Sequence, residues 1–154
     1  MKWPLKSNII RRSSLNHTFG MVRKDAKGNP RAHQGWDLQA VIGTPIQASL
    51  DGVVESVYES DSYGLVLIVW YPSVERYFAY AHLSVVAVFD GDKVTEGQIL
   101  GKTGETGNAY GMAEADMHLH FEVRTEPRPS GGLSGRESPL AIFKICPLRE
   151  AITR

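Results

Sequence analysis

Met117-His118-Leu119-His120-Phe121-Glu122-Val123 alternates apolar and polar side chains along its length, the period of a β-strand with one face on a core. Leu119, Phe121 and Val123 then point inward, while His118, His120 and Glu122 share the opposite face. Imidazoles two residues apart on one strand face stand roughly 7 Å apart at Cα. One can therefore hold a metal ion while the other touches whatever the ion holds.

Upstream, Arg31-Ala32-His33-Gln34-Gly35-Trp36-Asp37-Leu38 carries a histidine and an aspartate four apart. That spacing puts both on one face of a helix or of a strand. Pro30 and Gly35 argue against a helix, so the segment reads as extended and bent, with Trp36 and Leu38 on the core and His33 and Asp37 on the site. From Gly43 the pattern is almost wholly β. Residues 46–50 read as a strand, Asp51-Gly52 as a two-residue hairpin turn, and residues 53–58, 65–70 and 76–83 as further strands. Tyr80 and His82 are read on one face of the last of these, presenting His82 to the same groove. Residues 104–116 form a Gly-containing loop, 126–137 a mobile surface loop, and 138–145 a closing helix or strand. Ile9 and Ile10 read as an edge strand and His17 as a surface histidine.

A length of 154 residues suits one domain with a proper hydrophobic core. The 17 Lys and Arg balance the 17 Asp and Glu, so there is no basic footprint for nucleic acid. Cys146 is the only cysteine, which excludes an internal disulfide and a Cys-rich zinc site. Its simplest role is that of a small core hydrophobe. No stretch is apolar enough to span a membrane, and Met1-Lys2-Trp3-Pro4-Leu5-Lys6 is not followed by the apolar run of a secretory signal.

Four of the five histidines fall in ordered clusters, at His33, at His82, and at His118 with His120. A catalytic zinc takes about three nitrogen or oxygen protein ligands and keeps a fourth position for water, whose pKa falls toward ~7. His33, Asp37 and His120 make such a set. His82 and His118 then remain as free imidazoles suited to proton transfer and oxyanion stabilisation. Spacing alone does not choose which of His118 and His120 is the ligand.

These pieces, in this order, resemble the LytM/lysostaphin-type zinc metallopeptidases over roughly residues 19–145. The matching motifs are His33-Gln34-Gly35-Trp36-Asp37-Leu38, Gly43-Thr44-Pro45-Ile46, Asp51-Gly52-Val53-Val54, Tyr80-Ala81-His82-Leu83-Ser84, Gly97-Gln98-Ile99-Leu100-Gly101, Thr106-Gly107 and the strand around His118. The resemblance implies a mainly β, single-domain fold of duplicated hybrid-motif type, whose twisted antiparallel sheet forms a groove walled by loops. It implies Zn2+ held by His33, Asp37 and His120, His118 as general base, and His82 holding the water or the tetrahedral intermediate. The implied activity is endopeptidase cleavage of peptidoglycan cross-links by a metal-activated water. Residues 19–146 form the peptidase domain, 1–18 an N-terminal extension and 147–154 a tail.

Two departures bear on substrate choice. Some relatives carry a tyrosine shortly before the first ligand, whereas here Asp25-Ala26-Lys27-Gly28-Asn29-Pro30-Arg31 has none. Lys27, Arg31 and Tyr110 are the candidates to stand in, each more simply a surface or cleft-wall residue. The loop 108–116 is longer than the family's usual lead-in, and puts Asn108 and Tyr110 forward for substrate contact. Glu122 reads as a supporting carboxylate as readily as a catalytic one.

The competing readings are a stem-peptide carboxypeptidase of the same family, a non-catalytic wall-binding or activator module, and a carrier domain suggested by Gly91-Asp92-Lys93-Val94. The module conflicts with a complete ligand set. The carrier lacks a lysine at a suitable hairpin tip. Action on peptidoglycan peptides places a monomeric enzyme in the periplasm or cell wall. A chain without a leader suggests an exported antibacterial toxin or a phage lysin, and a toxin implies an immunity protein plugging the cleft.

Overall fold

The computed structural model describes residues 1–154. Its strands are β1 (Gly20–Lys24), β2 (Pro30–His33), β3 (Trp36–Gln39), β4 (Pro45–Gln47), β5 (Gly52–Ser60), β6 (Gly64–Tyr71), β7 (Arg76–Val86), β8 (Lys93–Val94), β9 (Ile99–Thr103), β10 (His118–Arg124) and β11 (Arg136–Glu137). One short helix, α1 (Leu140–Phe143), follows. The main sheet runs β11-β10-β7-β6-β5-β8, with β3 beside β10 and β9 joining β7 to β4. All its pairings are antiparallel. β1 and β2 form a separate hairpin.

β6 is apolar at nearly every position because both its faces are covered. Leu67, Val69 and Tyr71 enter the main core, and Val66 and Ile68 pack with Ala79 and Ala81 under the cleft. Each such fully buried branched side chain contributes about 1.5–3 kcal/mol. β10 faces the main core with Leu119, Phe121 and Val123, as its alternation predicts. Its opposite face is buried too, so the strand is not half-exposed. A polar network, described below, covers that face.

The N-terminal segment packs into the same core. Trp3 lies 4.6 Å from Phe143 and 6.0 Å from Trp36, centroid to centroid, and Leu5 and Ile10 are buried. The edge strand expected at Ile9 and Ile10 reduces to a single bridge, Ile10 to Leu38. The expected Asp51-Gly52 hairpin is absent, because β4 pairs with β9 and β5 with β6 and β8. Asp51 instead uses its carboxylate to accept the Glu96 amide at 2.8 Å. Nor is 126–137 a free loop: β11 pairs with β10, and the Ser130 and Gly132 carbonyls accept the Arg136 guanidinium. The closing segment is helical.

Candidate metal centre and cleft

The register of β3 on β10 builds the centre. Asp37 stands opposite His120, so both side chains leave the sheet on the same face. Gly35 permits this approach, since a Cβ there would collide with the Phe121 carbonyl. β2, which precedes Gly35 in the chain, ends at His33 and delivers it beside this pair. Asp37 Oδ1 lies 3.1 Å from His33 Nε2 and 2.9 Å from His120 Nδ1. One donor atom from each of the three residues falls within a 4.8 Å span. All three are buried.

The far nitrogen of each imidazole is fixed. His33 Nδ1–H donates to the Thr18 carbonyl at 2.7 Å, and His120 Nε2–H to Glu122 Oε2 at 2.7 Å. His82 and His118 donate through Nδ1 to the Thr106 and Asp116 carbonyls, each at 2.8 Å. Deprotonated, as ligation of an ion would require, His33 presents its Nε2 lone pair and His120 its Nδ1, while neutral His82 and His118 present Nε2 to the cleft. A His₂Asp donor set with its nitrogens held this way suits zinc.

His82 reaches the cleft by a bulge. Tyr80 points into the core, where its hydroxyl meets that of Tyr71 at 2.9 Å. Strict alternation would send His82 after it, contrary to the expectation that the two share the groove. The register of β7 on β6 shifts between Leu83 and Tyr80, and His82 takes φ 60°. This left-handed residue turns its ring out of the core. It then faces His118 with ring centroids 5.3 Å apart. Burial lowers the His82 pKa to about 4, helped by His120, and burial also lowers that of His118. Both are neutral bases at pH 7.

The cleft has a volume of about 640 Å³, and Arg11, Arg23, Arg31, Tyr63 and Asn108 line it with the four cluster histidines. Tyr110 is 81% exposed and stands outside it; Lys27 is exposed as well. His17, expected at the surface, instead sits 3.2 Å from Asp37 Oδ2. Arg23 and Arg11 approach the same oxygen at 3.1 and 3.4 Å. Burial would raise the Asp37 pKa, but hydrogen bonds from His120, His17 and His33 outweigh it and hold the carboxyl well below its usual range.

Glu122 lies directly behind His120 and is fully buried. Its Oε1 accepts Arg124 Nε at 2.9 Å and Arg136 Nε at 2.6 Å. Its Oε2 accepts the Tyr63 hydroxyl at 2.6 Å as well as His120. Tyr63 lies over the His120 ring at 5.3 Å and also meets Gln34. Glu122 thus orients a prospective ligand and does not face the cleft. Arg124 was readable as a fourth member of the alternating face, but Tyr63, Arg136, Arg11 and Arg23 carry no local signal.

The family model for Peptidase family M23 matches residues 31–131. Among curated relatives, a DD-carboxypeptidase/endopeptidase, Mpg, of Neisseria meningitidis serogroup B is 35% identical over 105 residues, 68% of this chain and 23% of that protein. A peptidoglycan DD-endopeptidase, ShyA, of Vibrio cholerae is 36% identical over 97 residues, 63% of this chain and 21% of that protein. The chain thus spans about a quarter or less of their lengths. The catalytic domain of lysostaphin from Staphylococcus simulans superposes with a TM-score of 0.67 at 28% identity, covering 83% of this chain and 90% of that domain. LytU matches with the same TM-score and identity over 82% and 81%. The match spans both prospective ligand motifs and the bulged histidine between them, and the chain belongs to peptidase family M23.

Proposed function

We propose that the chain is a zinc-dependent endopeptidase that hydrolyses peptide cross-links of bacterial peptidoglycan. The observation that carries this is the convergence of three prospective ligand atoms within 4.8 Å beside two imidazoles whose Nδ1 atoms lie 2.8 Å from backbone carbonyls. The relatives named for DD-endopeptidase activity support the substrate class.

His33 Nε2, Asp37 Oδ1 and His120 Nδ1 would hold the ion. Zinc bound there supplies a Lewis acid and acidifies a coordinated water. His118 Nε2 lies 3.8 Å from Asp37 Oδ1 and serves as the base that takes the water proton. His82 uses its Nδ1–H on Thr106, so while neutral it is an acceptor and orients the water. Once either imidazole has taken a proton it becomes a donor and can pass that proton to the leaving nitrogen. Digestion of purified sacculi by zinc-loaded protein, with fragments identified by mass spectrometry, tests the reading. New amino termini within cross-links are expected, and chelation should stop their release. Loss of terminal D-alanine alone would favour the carboxypeptidase reading, which the name of the Neisseria relative also supports.

His118→Ala is expected to lower turnover by about 10²–10⁴-fold while zinc stays bound, since the residue is a base and not a ligand. Fragment release and zinc per mole of protein check this together. Equal loss of zinc would reassign His118 as a ligand.

The metal-free protein should respond to pH through His120. Burial disfavours the imidazolium, but the hydrogen bonds to Asp37 and Glu122 prevail and raise its pKa to about 9. The folded value lies above the unfolded one of about 6.5, so this stabilisation is complete below pH ~6.5 and fades as pH rises through ~9. Melting of chelator-treated protein should therefore fall across that interval. A flat profile would contradict the pairing.

A further inference from the structure

Arg31 belongs to the cleft wall but has no partner. Arg11 and Arg23 both bond Asp37, and Arg11 also reaches Asp116. Arg31 is exposed, lines the same cleft, and makes neither an ion pair nor a side-chain hydrogen bond. The carboxylate that feels its charge, Asp25, spends its oxygens on the Lys27 and Asn29 amides.

Its position is unfavourable without an anion. Arg31 stands directly opposite Arg23 in the β1–β2 ladder, and like charges directly opposed on one face destabilise a hairpin. It also stands two residues before His33, on the face of β2 that carries this prospective ligand. The step along the strand is roughly 7 Å. Arg23 and Arg11 already share the Asp37 carboxylate, and an ion held by that carboxylate adds further positive charge. What the wall lacks is a negative group.

We propose that Arg31, with Arg23 across the ladder, forms a subsite for a substrate carboxylate one or two residues from the scissile carbonyl. The enzyme then selects peptides bearing a free carboxylate there over uncharged glycine bridges. The guanidinium fork suits a carboxylate because it offers paired N–H donors. This rests on the peptidase reading for its substrate. The carboxylate is either the α-carboxylate of a peptide terminus or one on a diacid residue within the peptide.

The test measures binding as well as cleavage. Two fluorescent cross-linked stem-peptide dimers, one with a free C-terminal carboxylate and one with an internal diacid carboxylate, are each compared with their amides. Affinities are read by anisotropy on zinc-loaded full chain carrying His118→Ala to prevent turnover. Amidation of one of the two carboxylates is expected to weaken binding about tenfold or more, and identifies the source. Arg31→Gln should erase the difference and Arg31→Glu should make the amide the better ligand, with no drop in Tm. Equal affinity for all four peptides, no binding of any, or a lowered Tm on substituting Arg31 would overturn the proposal. If discrimination in binding persists but the protein with His118 intact cleaves none of the peptides, the subsite stands and the peptidase reading falls.

Discussion

Alanine in place of His120 is expected to yield protein without bound zinc, without cleavage of sacculi and with a lowered Tm. Three effects converge. The set loses one of its three ligands, leaving His33 and Asp37. The imidazole also bridges two buried carboxylates, at 2.9 Å to Asp37 and 2.7 Å to Glu122, and its loss removes a donor from each. Breaking such a buried pair costs about 3–5 kcal/mol. The ring further supports Tyr63, which packs over it. His33→Ala separates ligation from folding, because His33 touches only one of these carboxylates and its other nitrogen bonds a backbone carbonyl. It should lose zinc and cleavage with a smaller change in Tm. Zinc content, calorimetry and fragment release on both variants distinguish the contributions. Stoichiometric zinc and full cleavage in the His120 variant would remove the proposed centre.

Much of the candidate site could be read from the chain because strand period fixes side-chain direction. His118, His120 and Glu122 share a face, and Trp36 and Leu38 turn from Asp37, for that reason alone. Spacing could not choose between His118 and His120. Register tells the two apart: His120 lies opposite Asp37, whereas His118 lies opposite Gln39, leaving His118 Nε2 at 3.8 Å from the carboxylate against 2.9 Å for His120 Nδ1. Where the chain departs from its period, sequence reading fails. The bulge at His82 arises as β7 leaves its register on the preceding strand β6 and takes up β9, an exchange of partners that no local pattern announces. The same holds for His17, Arg11 and Arg23. Nothing in their neighbourhoods marks them, and only the fold brings three donors to one oxygen of Asp37. The Asp51-Gly52 error has the same origin, since a favourable turn dipeptide forms a hairpin only if its flanking strands pair with each other.

Glu122→Ala should be among the most destabilising substitutions in the protein, although the residue touches no substrate. One buried carboxylate accepts from two guanidiniums, an imidazole and a phenol. Burial would raise its pKa, but His120 and Arg124 outweigh that and hold it below the usual carboxylate range. Removing it leaves Arg124, 2% exposed, with its buried charge uncompensated, and frees His120 to rotate about its remaining bond to Asp37. The expected loss is about 3–5 kcal/mol, or about 6–20 °C in Tm for a chain of this size. High salt should restore little, because the charges are shielded from solvent ions. Glu122→Gln separates charge from shape. The amide still accepts from an arginine or from Tyr63 and fills the same volume, so it should fold better than alanine. It loses the charge that steadies the His120 ring, and zinc affinity should fall by about 10–100-fold. Denaturant melts and zinc titrations of the two variants distinguish these roles. Should alanine melt with the wild type, the buried charges must be held by something other than Glu122, and His120 would owe its orientation to Asp37 alone.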